Sequence, residues 1–214
     1  MPRFITFEGT EGAGKSTQIT RLAQHLEALG RTVRILREPG GTLIGEEIRH
    51  TLQHSQGNHA MTPEAELLLM NASRAQLVRE IIRPALEEGH TVLCDRFLDS
   101  TVAYQGYGRG LNLEEVDGII RFAVGNCRPD LTLFLHVPVA VSESRRRKRQ
   151  RAAGEEPVRD RMEELDRAFF ERVEQGFMEI ARREPERFRV IDATPDADAV
   201  QAAIWKEVES LGGA

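Results

Sequence analysis

The stretch "FEGTEGAGKSTQ", Phe7 to Gln18, decides the fold. Within it, "GTEGAGKS" from Gly9 to Ser16 has the spacing G-x-x-x-x-G-K-[ST]. Glycines at those positions let successive backbone N–H groups turn inward as an anion nest, and a helix starting behind them adds its positive N-terminal end. The flanks agree with this reading. The apolar run "FITFE" (Phe4–Glu8) ends just before the loop, and an amphipathic pattern begins at Lys15. The segment Gly9, Thr10, Glu11, Gly12, Ala13, Gly14, Lys15, Ser16 and Thr17 is therefore the expected cradle for the phosphates of ATP. Lys15 reaches the outer phosphates, and the Ser16 hydroxyl is a ligand for Mg²⁺.

Outward from that loop, short apolar runs alternate with longer amphipathic ones, the signature of βαβ units around a parallel sheet. Expected strands are Phe4–Glu8, Thr32–Arg37, Thr91–Asp95, Leu131–Val137 and Phe188–Asp192. Continuous apolar runs such as "LTLFL" suit strands covered on both faces. Expected helices are Lys15–Leu29, stopped by Gly30, and one opened by Thr62 and Pro63 that keeps Leu67, Met70, Arg74, Leu77, Val78 and Ile81 on one face. Pro84 should kink or end the latter. Further helices fall over Leu113–Val124, Val139–Arg151, Arg159–Arg182 and Ala197–Leu211. The fold class is α/β, a three-layer phosphate-loop fold with a five-stranded parallel sheet flanked by helices. The charged run from Arg145 to Arg161, with Gly154 and Pro157, reads as a short mobile lid on one domain spanning 1–214.

Composition narrows the function classes. A chain of 214 residues with formal net charge -5 lacks the basic stripe that nucleic-acid binding needs. No apolar run approaches membrane-spanning length, and the start "MPRFITFEG" has no cleavable apolar core. Cys94 and Cys127 sit in no metal-binding pattern. They read as two reduced thiols, with a single disulfide as the alternative. The expectation is a cytoplasmic protein with neither nucleic acid nor membrane as partner. No Asn-Lys-x-Asp tetrapeptide follows a strand, which argues against a guanine-reading GTPase and leaves a small kinase as the leading class.

The second informative stretch is "TVLCDRFLDSTVAYQGYGRG", Thr91 to Gly110. A strand delivers Asp95 to its carboxyl end beside the phosphate loop, where a carboxylate can hold Mg²⁺ directly or through water. The next residue, Arg96, offers a planar fork suited to a phosphate monoester. The pair reads as the meeting place of two phosphates, or as a plain surface ion pair.

Five segments, "FEGTEGAGKST", "REPGGT", "NASRAQLV", "DRFLDSTVAYQG" and "DRME", occur in the order found in thymidylate kinases. The sequence resembles a bacterial thymidylate kinase along nearly its whole length. The resemblance implies transfer of the γ-phosphate of ATP to dTMP, giving dTDP and ADP, with Mg²⁺ and usually as a homodimer. By the same resemblance, Glu11 faces the acceptor's sugar or the metal, although a solvated loop acid also fits. Arg37 and Arg49 approach the acceptor phosphate with Arg96, and Arg74 hydrogen-bonds the thymine edge while lying across its plane. An arginine on the apolar face of a helix is costly unless paired or functional.

The family usually places Phe one turn before that arginine, and here the position is Met70. A thioether packs softly against an aromatic face, or simply fills the core. Ser100 belongs to the same acceptor-binding segment. Thr101 and Gln105 lie near the base, and Tyr104 packs beside the deoxyribose, where a ring crowds a 2′-hydroxyl. Core packing is the competing reading for Tyr104.

The loop's variable positions, Thr10, Glu11, Gly12 and Ala13, include no arginine. By resemblance to the family branch whose lid provides the arginines, the run "RRRKRQR" supplies the charge-stabilising cation, with Arg145 and Arg149 four residues apart on one helical face; a solvated basic helix balanced by Glu155, Glu156 and Asp160 is the competing reading. The catalytic set expected from the sequence is Lys15, Asp95, Arg96, Arg145 and Arg149, with Ser16 and Asp95 on the metal. A kinase of another small acceptor shares the phosphate loop, as does a nucleotide-binding regulator that hydrolyses ATP slowly.

Overall fold

The computed structural model of the chain describes residues 3–55, 57–142, 144–145 and 167–211. Five strands form one parallel sheet: β1 (Phe4–Glu8), β2 (Val33–Arg37), β3 (Thr91–Asp95), β4 (Leu131–His136) and β5 (Phe188–Asp192). Their order is β2-β3-β1-β4-β5. The chain winds from β1 to one side and later returns to the other. The crevice beyond the carboxyl end of β1 is thus the switch point where open α/β sheets bind ligands.

Strand alternation explains the layers. Ile5 and Phe7 of β1 pack with Leu131, Leu133 and Leu135 of β4 under α1 (Lys15–Ala28). Phe4 points to the opposite face, into a cluster with Val92, Cys94, Leu77 and Ile120. That second face is covered by α3 (Pro63–Leu77) and α6 (Leu113–Val124). Both cysteines are buried free thiols. A third cluster of aromatic side chains, Tyr104, Phe134, Phe169, Phe177 and Phe188, seats α7 (Arg167–Arg183). The last helix, α8 (Ala197–Ser210), returns to the first face. No helix among the described residues is long and apolar enough to cross a membrane.

Local signals account for most boundaries. The Thr62 hydroxyl accepts from the Ala65 N–H with Pro63 at the first helical position. Gly30, at φ 80°, ends α1 in the left-handed conformation that favours glycine.

Three features go beyond the sequence reading. A helix α2 (Leu43–Gln53), absent from the expected list, follows the loop after β2. Pro84 does not end the third helix: a π turn at Val78–Ile82 leads into α4 (Arg83–Glu87), which contains the proline. A wider turn just upstream accommodates a residue that cannot donate and that crowds the carbonyl four residues back. The segment after β3 is a short helix α5 (Leu98–Thr101) that widens into a π segment, Val102–Gly108.

Candidate functional site: a phosphate loop facing an arginine turn

The loop after β1 is built from close approach. Gly9 and Gly12 adopt φ of 140° and 82°. A Cβ on Gly9 would lie 2.7 Å from the Leu135 carbonyl oxygen, and one on Gly12 would lie 2.8 Å from that of Ser142. Side chains are excluded there by contact as well as by backbone angle. Lys15 Nζ donates to the Gly9 carbonyl at 3.1 Å and to that of Thr10 at 3.3 Å. Burial and the positive charge of Arg96 push the Lys15 ammonium down to about 8, against the opposing pull of Asp95, Glu8 and Glu11. Lys15 and Arg96 therefore share one electrostatic neighbourhood, and a dianion between them relieves their repulsion.

Parallel pairing puts Phe7 opposite Asp95, so β3 ends level with the loop. Ser16 Oγ lies 3.5 Å from Asp95 Oδ2, and Lys15 Nζ lies 3.8 Å from Asp95 Oδ1. The buried Asp95 Oδ1 accepts no hydrogen bond among the described residues, and neither does Thr10 Oγ1. An orphaned carboxylate oxygen beside a hydroxyl suits a hard cation. Among the described residues no group of three or more His, Cys, Asp and Glu forms an all-protein metal cage. Two protein groups with phosphate oxygens and water match the way Mg²⁺ is held at phosphoryl-transfer sites.

Arg96 follows with φ 68°, the one described non-glycine residue with a positive value. Its N–H continues the ladder to the Phe7 carbonyl at 2.9 Å, after which the chain turns sharply. The guanidinium stacks on the Tyr104 ring, 5.0 Å from its centroid, and donates from Nη1 to Ser100 Oγ at 3.3 Å. Tyr104 also meets Phe169 and Phe177, so its ring is a fixed wall between the core and the arginine.

Arg74 is buried in α3 and uses its donors on the protein. Nε donates to Glu38 Oε2 at 2.8 Å, and Nη1 donates to Asn71 Oδ1 and Thr101 Oγ1. Nη2 donates to the Phe97 carbonyl and lies 2.7 Å from Glu38 Oε2. A hydrogen bond from Arg74 to a base edge thus requires one of these contacts to be given up. Glu38, Asn71 and Phe97 had no assigned role in the sequence reading. The available signal was the arginine itself, since a guanidinium on an apolar face calls for a buried anion.

Thr101 and Gln105 are buried near this cluster, with Gln105 Nε2 donating to the fully buried Glu66. Met70 is half-buried one turn before Arg74. Arg37 and Arg49 converge on the Pro39 carbonyl, at 3.2 and 3.0 Å, and Arg37 also pairs with Glu46 at 3.0 Å. Glu11 sits half-buried in the loop, close enough to raise the proton affinity of Lys15. Arg145 donates to the Ala193 and Thr194 carbonyls at 2.9 and 3.0 Å, tying its helical segment to the loop after β5. Reaching a phosphate would break that tie. Arg149 and most of the expected lid lie outside the described residues.

A parallel sheet with a phosphate loop at its switch point, faced by an Asp-Arg turn, defines a P-loop phosphotransferase of the nucleoside monophosphate kinase type. Residues 7–204 match the family Thymidylate kinase. Thymidylate kinase of Syntrophotalea carbinolica is 50% identical over 205 residues, covering 96% of this chain and 94% of that protein. Thymidylate kinase of Deinococcus radiodurans is 46% identical, covering 98% and 97%. A crystal structure of thymidylate kinase from Ehrlichia chaffeensis superposes with TM-score 0.75 at 34% identity, covering 96% of this chain and 97% of the other. The chain belongs to the thymidylate kinase family.

Proposed function

We propose that this protein transfers the γ-phosphate of ATP to dTMP, yielding dTDP and ADP. The observation that carries the proposal is an adjacency at the end of β3. Asp95 stands beside Lys15 and Ser16 of the donor side, and Arg96 begins the acceptor side. In this reading Lys15 faces the phosphates of the donor and Arg96 the phosphate of the acceptor.

In this reading the loop N–H groups hold the β- and γ-phosphates, and Lys15 offsets the charge of the outer oxygens. Ser16 and Asp95 would hold Mg²⁺, which would supply Lewis-acid stabilisation of the phosphate charge. Arg96 grips the acceptor phosphate, with Arg37 and Arg49 at its far side. An oxygen of that phosphate attacks the γ-phosphorus, the bond to the bridging oxygen of ADP breaks, and ADP leaves. The protein's part is positioning and charge stabilisation, because phosphoryl transfer needs little covalent help. Tyr104 closes the space beside the sugar, and the Arg74–Thr101–Gln105 cluster frames the base.

A coupled assay of ADP release with ATP and a panel of monophosphates tests the assignment. Turnover with dTMP should exceed that with dAMP, dCMP and dGMP by at least about a hundredfold, equivalent to ~2.7 kcal/mol of discrimination. Preference for another acceptor, or ADP release indifferent to any acceptor, would overturn it.

We also propose that two copies pair. Phe122 of α6 is 85% exposed and Leu68 of α3 is 56% exposed, on helices that pack together. The two side chains offer an apolar surface for a second copy of the chain. Sedimentation giving a monomer mass at micromolar concentration would contradict it.

A further inference from the structure

Glu8 is a carboxylate where strand alternation calls for an apolar residue. It ends β1 on the face that carries Phe4 and Thr6 and is fully buried. Desolvating a carboxylate is expensive, and burial pushes this one up to about 7 against the pull of Arg96, Ser100 and the Phe97 N–H, with Asp99 adding to the rise. A fold that keeps such a group uses its hydrogen bonds.

All three donors to Glu8 come from one short segment. Oε1 accepts from the Phe97 N–H at 2.8 Å and the Ser100 N–H at 3.2 Å. Oε2 accepts from the Ser100 hydroxyl at 2.5 Å. That hydroxyl spends its proton on Glu8, so it meets Arg96 Nη1 as an acceptor, at 3.3 Å. The same segment holds Arg96 at φ 68°, a left-handed conformation that is costly for a residue with a side chain and persists only where its surroundings fix it. Glu8 holds the residues that follow Arg96 and accepts from the hydroxyl on which its guanidinium rests.

We infer that Glu8 is a positioning residue for acceptor recognition, setting the guanidinium of Arg96 through Ser100. It acts from beneath the site and belongs to the strand that feeds the phosphate loop, so donor and acceptor grips share one anchor. This rests on the proposed role of Arg96 in holding the acceptor phosphate. A merely structural Glu8 would hold the turn but have no specific link to either substrate.

The test is a double-mutant cycle on Glu8→Gln and Ser100→Ala, with KM measured separately for dTMP and ATP. Ser100→Ala leaves both backbone bonds to Glu8 and removes the hydroxyl that links Glu8 to Arg96. Glu8→Gln keeps an acceptor for the backbone pair and presents a donor to the hydroxyl. Each should raise KM for dTMP about tenfold with KM for ATP within about twofold, and the double variant should be no worse than the worse single. Multiplying effects, equal changes in both KM values, or an unchanged KM for dTMP in either variant would overturn the inference. Should Glu8→Gln fail to fold, Glu8→Asp keeps the charge with a shorter reach, and the same split and non-additivity are expected of it. Wild-type turnover of dTMP separates the two levels. A wild type that ignores dTMP sinks the substrate reading. A wild type that uses dTMP alongside an indifferent Ser100→Ala sinks only the relay.

Discussion

Ser16 Oγ stands 3.5 Å from Asp95 Oδ2, across the gap between the start of α1 and the end of β3. The two residues are 79 positions apart, and the Phe7–Asp95 register brings them level. Parallel pairing thereby brings two unrelated chain segments to one edge.

If that edge holds Mg²⁺, Asp95→Asn keeps the shape and loses the charge. Turnover should fall at least a hundredfold, and the Mg²⁺ concentration for half-maximal rate should rise. Titration of rate against Mg²⁺ checks both. A variant with an unchanged Mg²⁺ midpoint would remove Asp95 from the metal site.

The Lys15 ammonium is held near 8, below its ordinary 10.5, by burial and by Arg96. In the free protein its charge is therefore about half lost at pH 8, nearly complete a unit below and largely gone a unit above. Bound triphosphate favours the charged form, so ATP affinity should weaken as pH rises through 8, by up to about tenfold per unit. Calorimetric ATP binding from pH 7 to 9.5 shows this directly, and Lys15→Met should flatten the slope.

The Arg74–Glu38 pair is a stability element as well as a wall of the site. Both side chains are nearly inaccessible, at 2% and 4%. Glu38→Ala strands a buried guanidinium, which typically costs about 3–5 kcal/mol. Urea unfolding should register a loss of that order, and a loss below about 1 kcal/mol would mean that water or a neighbour compensates Arg74.

The half-buried Met70 offers a thioether where thymidylate kinases usually carry Phe. Restoring the ring, Met70→Phe, should lower KM for dTMP severalfold, since aromatic contacts add about 0.5–1.5 kcal/mol beyond area burial. An unchanged or higher KM would show that Met70 does not face the base.

These outcomes also mark what was legible in the chain. The phosphate loop was readable because its glycines are demanded by contacts within one segment, as the 2.7 Å approach at Gly9 illustrates. Asp95 and Arg96 were readable because a strand carries them to the same edge. Helix α2 was missed although Ile44, Ile48 and Leu52 recur at four-residue spacing: the stripe is short and, with Leu43 and Ile44 exposed, only Gly45 and Leu52 of this helix are buried. Glu8 looked like a strand-ending acid, since its donors lie 89 and 92 positions away. The saturation of Arg74 was hidden likewise, because its partners come from the loop after β2, its own helix and the turn after β3. Such partnerships depend on which elements pack together, and a linear pattern does not carry that.

The most direct test follows the phosphorus itself. Incubate the protein with ATP labelled at the γ-phosphate, Mg²⁺ and dTMP, then separate the products. The label should appear in dTDP, only when dTMP is present, and should fall at least a hundredfold in Arg96→Ala. Label released as inorganic phosphate at the same rate with or without dTMP would contradict the account.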